Sequence, residues 1–296
     1  MGRMLAASFR SLHSHSKPQS KEVIGTFRQR YARHQAAPIV ALWRQNAGQS
    51  RPQKLIEPLL LTTVRITTIH SGQTLTNATG FFYQRADRLF LVTSRHVVID
   101  EPSNHHPDRI EIELHTDRTN LTQSTGYSIP LYRKNLGVWR QAQDSGGIVD
   151  VVALEIDQEA LPESAFFHAF SPENHLGDSD LVEIGSSMLV VGFPMGFHDS
   201  LHHLPVVRHA INASSYPLRF QGNGYFLTDS RTHRGTSGAP VVMRSMSGPL
   251  SNNDLAWTLL GVHSSRMDIG SREHGVDEAL GLNCVWFADI LLTLTA

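Results

Sequence analysis

Leu89-Phe90-Leu91-Val92-Thr93-Ser94-Arg95-His96-Val97-Val98-Ile99 opens with a short apolar run, breaks at Ser94 to His96, and resumes. Six residues rich in apolar and β-forming types, bounded by polar ones, read as a strand rather than a helix. Working outward, the same pattern recurs from Leu59 onward, with strands expected at Leu59–Ile69, Gly80–Gln84, Leu89–Ser94, Arg109–His115 and Asp150–Ile156. Five more follow at Ser187–Gly192, Pro205–Asn212, Tyr225–Asp229, Ala239–Met243 and Trp257–His263. Gly, Pro, Asn and Asp punctuate them, and ten strands exceed what one small sandwich uses, so the body is expected to be all-β. Pro162 to Asp180 is poor in strand signal and reads as a linker. It divides the body into residues 56–165 and 166–296. Leu282 to Trp286 is strand-like again, and Phe287 to Leu294 suits a short terminal helix.

The 296 residues are 40% apolar and 18% charged, enough to bury a substantial core. Lys and Arg number 26 against 27 acids, so the protein as a whole has no field that draws it onto nucleic acid. Residues 1–55 differ in kind: ten basic residues face one acid, Glu22, a net of +9 against −10 for the remainder. That segment reads as a separate basic arm: a docking or solvated extension, an organelle transit segment, or a surface for anionic lipid or nucleic acid. It lacks the apolar stretch of a secretory signal, and nothing in the sequence is long and apolar enough for a spanning helix. The lone Cys284, inside Leu282 to Phe287, is expected to be a small core residue; as the one cysteine of the sequence it forms no internal disulfide. A reducing compartment such as the cytoplasm, or a bacterial source, fits that usage.

Gly235-Thr236-Ser237-Gly238-Ala239-Pro240 places a serine between glycines in a turn ahead of the apolar run Ala239 to Met243. Taken alone it is also a plain Gly/Ser turn. As a chemical site it exposes a hydroxyl, and the N–H groups of Gly235 and Ser237 would converge on a developing oxyanion. A serine hydroxyl needs a base to become a nucleophile. Of 17 histidines, His96 stands at the end of a strand-like run, at the rim of a rigid core. Asp150 follows Gly146-Gly147 and opens the apolar run Val151 to Leu154, where a carboxylate requires partners. Orienting an imidazole supplies one. The chain order His, Asp, Ser differs from the Ser, Asp, His order of α/β-hydrolases, whose nucleophile turn also needs a glycine where Ala239 stands.

Taken together, these pieces resemble the trypsin-like serine peptidases with a chymotrypsin-like fold. The likeness is strongest to the bacterial branch that includes HtrA-like and glutamyl endopeptidase-like enzymes. The matching segments are Thr79-Gly80-Phe81-Phe82, Leu91 to His96, Asp150 to Leu154, Val191-Gly192-Phe193-Pro194, Thr228-Asp229, Arg234 to Pro240 and Leu260-Gly261-Val262-His263-Ser264. The resemblance implies two six-stranded antiparallel Greek-key barrels, with His96 and Asp150 on the first, Ser237 on the second, and no cofactor or metal. It implies a peptide or protein substrate, paired as a strand beside Ser264-Ser265-Arg266. Arg231, Thr232, His263, Ser264 and Ser265 would wall the pocket for the residue before the cut, and Ser264 would support Asp150. In glutamyl endopeptidases and viral 3C-like proteases a histidine at the position of His263 recognises Glu or Gln; a packed core histidine is the other reading.

Thr236 stands where the animal digestive branch has an aspartate beside the nucleophile, so activation by a new N-terminus is not expected. The 59 residues after Ser237 suffice to finish a barrel and leave no room for the PDZ domain that usually follows in HtrA-like enzymes. The histidines at 105, 106, 198, 202 and 203 fall in loop-like sequence without the rigid spacing of a metal motif. The rival reading is a protease-shaped module that binds peptides, or docks through its arm, with little or regulated turnover.

Overall fold

The computed structural model describes residues 56–177, 181–245, 255–266 and 281–296. The basic arm and every reading attached to it lie outside the described residues. Residues 56–296 form one compact unit.

The first half is a single antiparallel sheet. Its strands are β1 (Thr63–His70), β2 (Gln73–Arg85), β3 (Arg88–Thr93), β4 (Arg109–His115), β5 (Ser124–Pro130), β8 (Trp139–Asp144) and β9 (Gly147–Ile156), with the short ribbon β6 (Tyr132–Arg133) and β7 (Leu136–Gly137) beside them. The order across the sheet is β5-β4-β1-β2-β3-β9-β8. The second half is a closed six-stranded barrel of β10 (Ser187–Gly192), β11 (Val206–Asn212), β12 (Tyr225–Asp229), β13 (Pro240–Arg244), β14 (Trp257–Arg266) and β15 (Leu282–Phe287). A one-turn helix α1 (Arg95–Val98) follows β3, and α2 (Ile290–Leu294) ends the chain.

The all-β expectation holds, with three corrections. The first half is a seven-stranded sheet where the resemblance implies a six-stranded barrel, and β5 and β8, missing from the five strands read there in the sequence, carry mostly polar, half-exposed side chains that the apolar-run criterion passes over. Leu59 to Leu61 belong to a 3-10 turn, Pro58–Leu61, and the strand starts only at Thr63. Proline at the first helical position favours the turn, and the Thr62 hydroxyl closes it on the Leu59 carbonyl at 2.7 Å. The terminal helix is also shorter than expected, since β15 runs on to Phe287.

Alternation along the central strands shows why they read as continuous apolar runs. On β9, Val149, Val151 and Ala153 pack into a core that also takes Val191, Val242, Leu259, Val262 and Trp286 from the second half. Val152, Leu154 and Ile156, pointing the other way, fill the core of the first sheet with Ile66, Phe82 and Leu91. Both faces of the strand are therefore buried, as β2 and β3 repeat with Phe81 against Phe82 and Phe90 against Leu91. The barrel's own interior is lined by Val190, Phe226, Val241, Leu260 and Val285.

The stretch read as a linker does more than connect. Phe170 forms a bridge to Tyr83, takes the N–H of Gln84 at 2.7 Å and gives its own to Phe82 at 3.0 Å. Its ring meets Phe81 edge to face at 5.6 Å, both rings fully buried. The connection is thus stitched onto β2 before it enters the barrel.

Candidate active site

His96 owes its place to the end of β3. Thr93 and Ser94 are buried, Ser94 opens α1, and the chain turns so that His96 lies at the sheet's rim, half-buried. β9 runs beside β3 with Val152 opposite Thr93, which brings Asp150 level with the turn. The His96 N–H meets Asp150 Oδ1 at 2.9 Å, and its Nδ1 meets Oδ2 at 2.7 Å. From the second half, the Ser264 hydroxyl donates to the same Oδ2. Both carboxylate oxygens are therefore occupied. Burial alone raises the Asp150 carboxyl, but the hydrogen bond and charge of His96, with Ser264, hold it below the ordinary aspartate value. Burial likewise depresses His96, and the Asp150 hydrogen bond and charge overcome it, leaving the imidazole above its usual value.

Ser237 lies on the other half, half-buried, in a turn whose form is set by glycine. The Thr236 N–H closes on the His233 carbonyl at 3.2 Å, and Gly235, at the third position, has φ +89°. That is a type II turn, which requires the left-handed region there. The Arg234 carbonyl takes the N–H of Met195 and the Thr236 carbonyl takes that of Ala239. Among the described residues the N–H groups of Gly235 and Ser237 carry no hydrogen bond, while those of Thr236, Gly238 and Ala239 all do.

The two halves of the site meet at one carbonyl. His263 O accepts the Gly238 N–H at 2.7 Å and the Ser94 hydroxyl at 3.3 Å, joining the residue after Ser237 to the residue two before His96. Among the described residues no hydrogen bond joins the His96 imidazole to the Ser237 hydroxyl. Such contacts are often long in ligand-free enzymes and tighten when substrate is bound.

A family model for the trypsin-like peptidase domain matches residues 78–247, more than half of the chain and all three of these residues. The chain belongs to the trypsin-like peptidases. Among solved structures it is similar to the crystal structure of the serine endoprotease from Yersinia pestis, at 16% identity and TM-score 0.45. That match covers 80% of this chain, which spans 62% of the length of the other. No curated protein sequence matches it.

In this trypsin-like peptidase the remaining candidate residues fall around the same turn. β13 begins at Pro240, opposite Val262, so residues 264–266 of β14 have no β13 strand beside them. Ser264 is turned inward to Asp150, and Ser265 is exposed. Arg231 is exposed, whereas Thr232 is buried and donates to the side chain of Asn283. Asn283, unforeseen in the sequence, is fully buried and holds the Ser230 and Gly281 carbonyls at 2.7 and 2.9 Å. His263 is buried, and among the described residues its Nδ1 has no hydrogen-bond partner. Burial, then the neighbouring His96, pulls its imidazole down to about 3, so it is neutral at ordinary pH.

Three of the loop histidines have hydrogen-bond partners: His105 Nε2 meets the Val97 carbonyl at 3.1 Å, His198 Nδ1 the Gly196 carbonyl at 2.6 Å, and His202 Nδ1 the Asp199 carboxylate at 2.8 Å. The Cys284 thiol is buried and pushed up to about 11, chiefly by that burial.

Proposed function

We propose that the chain is a serine endopeptidase that cleaves through an acyl-enzyme. Ser237 Oγ attacks the peptide carbonyl while its proton passes to His96 Nε2; the tautomer is fixed by the Nδ1–H bond to Asp150. The tetrahedral oxygen is held by the N–H groups of Gly235 and Ser237. His96 then gives its proton to the departing amine as the C–N bond breaks, and water repeats the sequence to release the acid. The observation that carries this reading is that, among the described residues, those two N–H groups carry no hydrogen bond while the Thr236 N–H between them does, beside a His96–Asp150 pair at 2.7 Å.

For the residue before the cut we infer a preference for Gln or Glu. His263 is a neutral, buried imidazole whose Nδ1 has no partner among the described residues; an entering side chain that uncovered it would supply that partner, which suits a carboxamide or a carboxylate able to take one N–H. Thr232, just before the His233–Thr236 turn, is buried with its hydroxyl on Asn283. The substrate backbone would pair beside residues 264–266.

The absent His96–Ser237 hydrogen bond favours one second reading, a peptide-binding module of the same shape with little turnover. Labelling by a fluorophosphonate probe, with the site mapped by mass, separates the two. Label on Ser237, lost in Ser237→Ala, is expected; a folded wild-type chain that takes no label and cleaves nothing overturns the enzyme reading.

A further inference from the structure

Thr79 belongs to β2 of the first sheet, yet its hydrogen bonds converge on the nucleophile turn of the second half. It is fully buried. Its N–H donates to the Ser237 carbonyl at 3.0 Å, and its hydroxyl donates to the Gly235 carbonyl at 2.7 Å. The same hydroxyl accepts the Phe193 N–H at 3.1 Å, and the Thr79 carbonyl takes the Thr93 hydroxyl at 2.8 Å.

Four successive carbonyls of the turn are therefore each held by one donor: Arg234 by Met195, Gly235 by the Thr79 hydroxyl, Thr236 by Ala239, and Ser237 by the Thr79 N–H. In a trans peptide the C=O and the following N–H point in opposite directions. Holding the Arg234 and Thr236 carbonyls thus aims the Gly235 and Ser237 N–H groups the other way. The Thr79 hydroxyl acts on this twice. It fixes the Gly235 carbonyl directly, and it seats Phe193, whose carbonyl takes the Gly196 N–H at 2.9 Å in the turn that presents Met195 to Arg234. Close approach is built in, since a Cβ on Gly192 would lie 2.8 Å from the Thr79 hydroxyl and one on Gly235 would lie 2.6 Å from the Phe193 carbonyl.

We propose that Thr79 is a positioning residue whose hydroxyl holds the His233–Thr236 turn in its type II form, so that both N–H donors are aimed before substrate arrives. Types I and II differ by a flip of the one central peptide, here Arg234–Gly235. The hydroxyl reaches that peptide through Phe193 and the turn that presents the Met195 N–H to the Arg234 carbonyl, and it anchors the next peptide at the Gly235 carbonyl; without it both supports loosen, and the Gly235 N–H turns away. The proposal rests on the peptidase reading for its effect on rate, but not for its effect on the turn.

The test compares Thr79→Val, which keeps shape and removes the hydroxyl, with Thr79→Ser, which keeps the hydroxyl. Thr79→Val is expected to lower kcat by about 100-fold with KM little changed, since the lost interaction is made in the transition state. Its crystal structure should show Gly235 at negative φ. Thr79→Ser is expected to hold kcat within about three-fold of the parent, a rescue that general damage to packing does not give. A folded Thr79→Val chain with parental kcat, or a Thr79→Ser chain as impaired as the valine variant, overturns the proposal. If the parent cleaves no peptide, the peptidase reading fails on its own, and the turn still decides: Gly235 left near φ +89° in Thr79→Val rejects the role of Thr79. Should the valine chain not fold, Thr79→Ser decides alone, a ten-fold loss of kcat in folded protein counting against the proposal.

Discussion

Ser264, on the barrel, donates to the same Asp150 oxygen that His96 Nδ1 reaches from the sheet. A carboxylate beside the core is thereby satisfied from both halves at once. Ser264→Ala removes a hydrogen bond to a charged group, and about 1–2 kcal/mol of stability is expected to go with it, after allowing for the partial exposure of Asp150. If the same loss appears in the barrier, kcat/KM falls about 5- to 30-fold. Urea unfolding and steady-state kinetics on the same protein check both; unchanged values in both would detach Ser264 from the site.

The acid limb of kcat/KM reports His96. Because the Asp150 pair lifts the imidazole above its ordinary value, the limb is expected at a higher pH than the roughly 6.5 of a free histidine. Asp150→Asn should move that limb down and lower kcat by about 10³- to 10⁴-fold, as expected when the wrong tautomer is favoured. The stabilities follow opposite directions. The His96 contribution is complete below about pH 6.5 and fades as pH rises through its folded value. The Asp150 contribution is present above about pH 4 and fades as pH falls through its lowered value. Chemical denaturation across pH measures each limb, and a parental limb in Asp150→Asn would contradict the pairing.

Selectivity for the residue before the cut should depend on His263. A peptide library is expected to show Gln or Glu preferred, with no titration of that preference between pH 5 and 8, since an imidazole at about 3 stays neutral throughout. His263→Ala should narrow the margin over other residues by about 10-fold or more. A parent enzyme that prefers Arg, Lys or large aromatics would remove the idea.

Two glycines at similar φ separate strain from collision. Gly72, at φ +81° in the β1–β2 hairpin with Ser71, has open space where a Cβ would go. Gly72→Ala is expected to cost about 1–2 kcal/mol, the penalty of the left-handed region alone. Gly238, at φ +86°, would place a Cβ 2.2 Å from the Thr79 carbonyl and 2.3 Å from the Thr93 hydroxyl. Gly238→Ala should therefore cost several-fold more and abolish activity. Thermal melts of the pair decide it, and equal losses would mean that the seam yields easily.

Much of this was legible because short apolar runs survive wherever a strand is buried on both faces. Ser187–Gly192 and Tyr225–Asp229 are legible to the residue on that ground, and Arg109–His115 on another, the two-residue alternation of a strand with one buried face. Strands with polar, half-exposed faces were not: Ser124–Pro130 and Trp139–Asp144 carry their meaning in backbone pairing. His96, Asp150 and Ser237 stand out in the sequence as candidates because each sits at an abrupt junction between a polar turn and an apolar run. Asn283 lies inside such a run and gives no comparable sign. Thr79 appears only as one letter of a matching segment, since a threonine in a strand is ordinary and the partners of its hydroxyl are more than 100 positions away.

Glu163 and Ser164 are exposed in the stretch that joins sheet to barrel, while Phe170 beyond them is locked onto β2. A cut between Glu163 and Ser164 would yield two pieces, each missing part of the machinery: one keeps Thr79, His96 and Asp150, the other Ser237 and Ser264. Hydrolysis then serves as a complementation signal, returning only when the pieces find each other, with the Phe170 segment as the clasp.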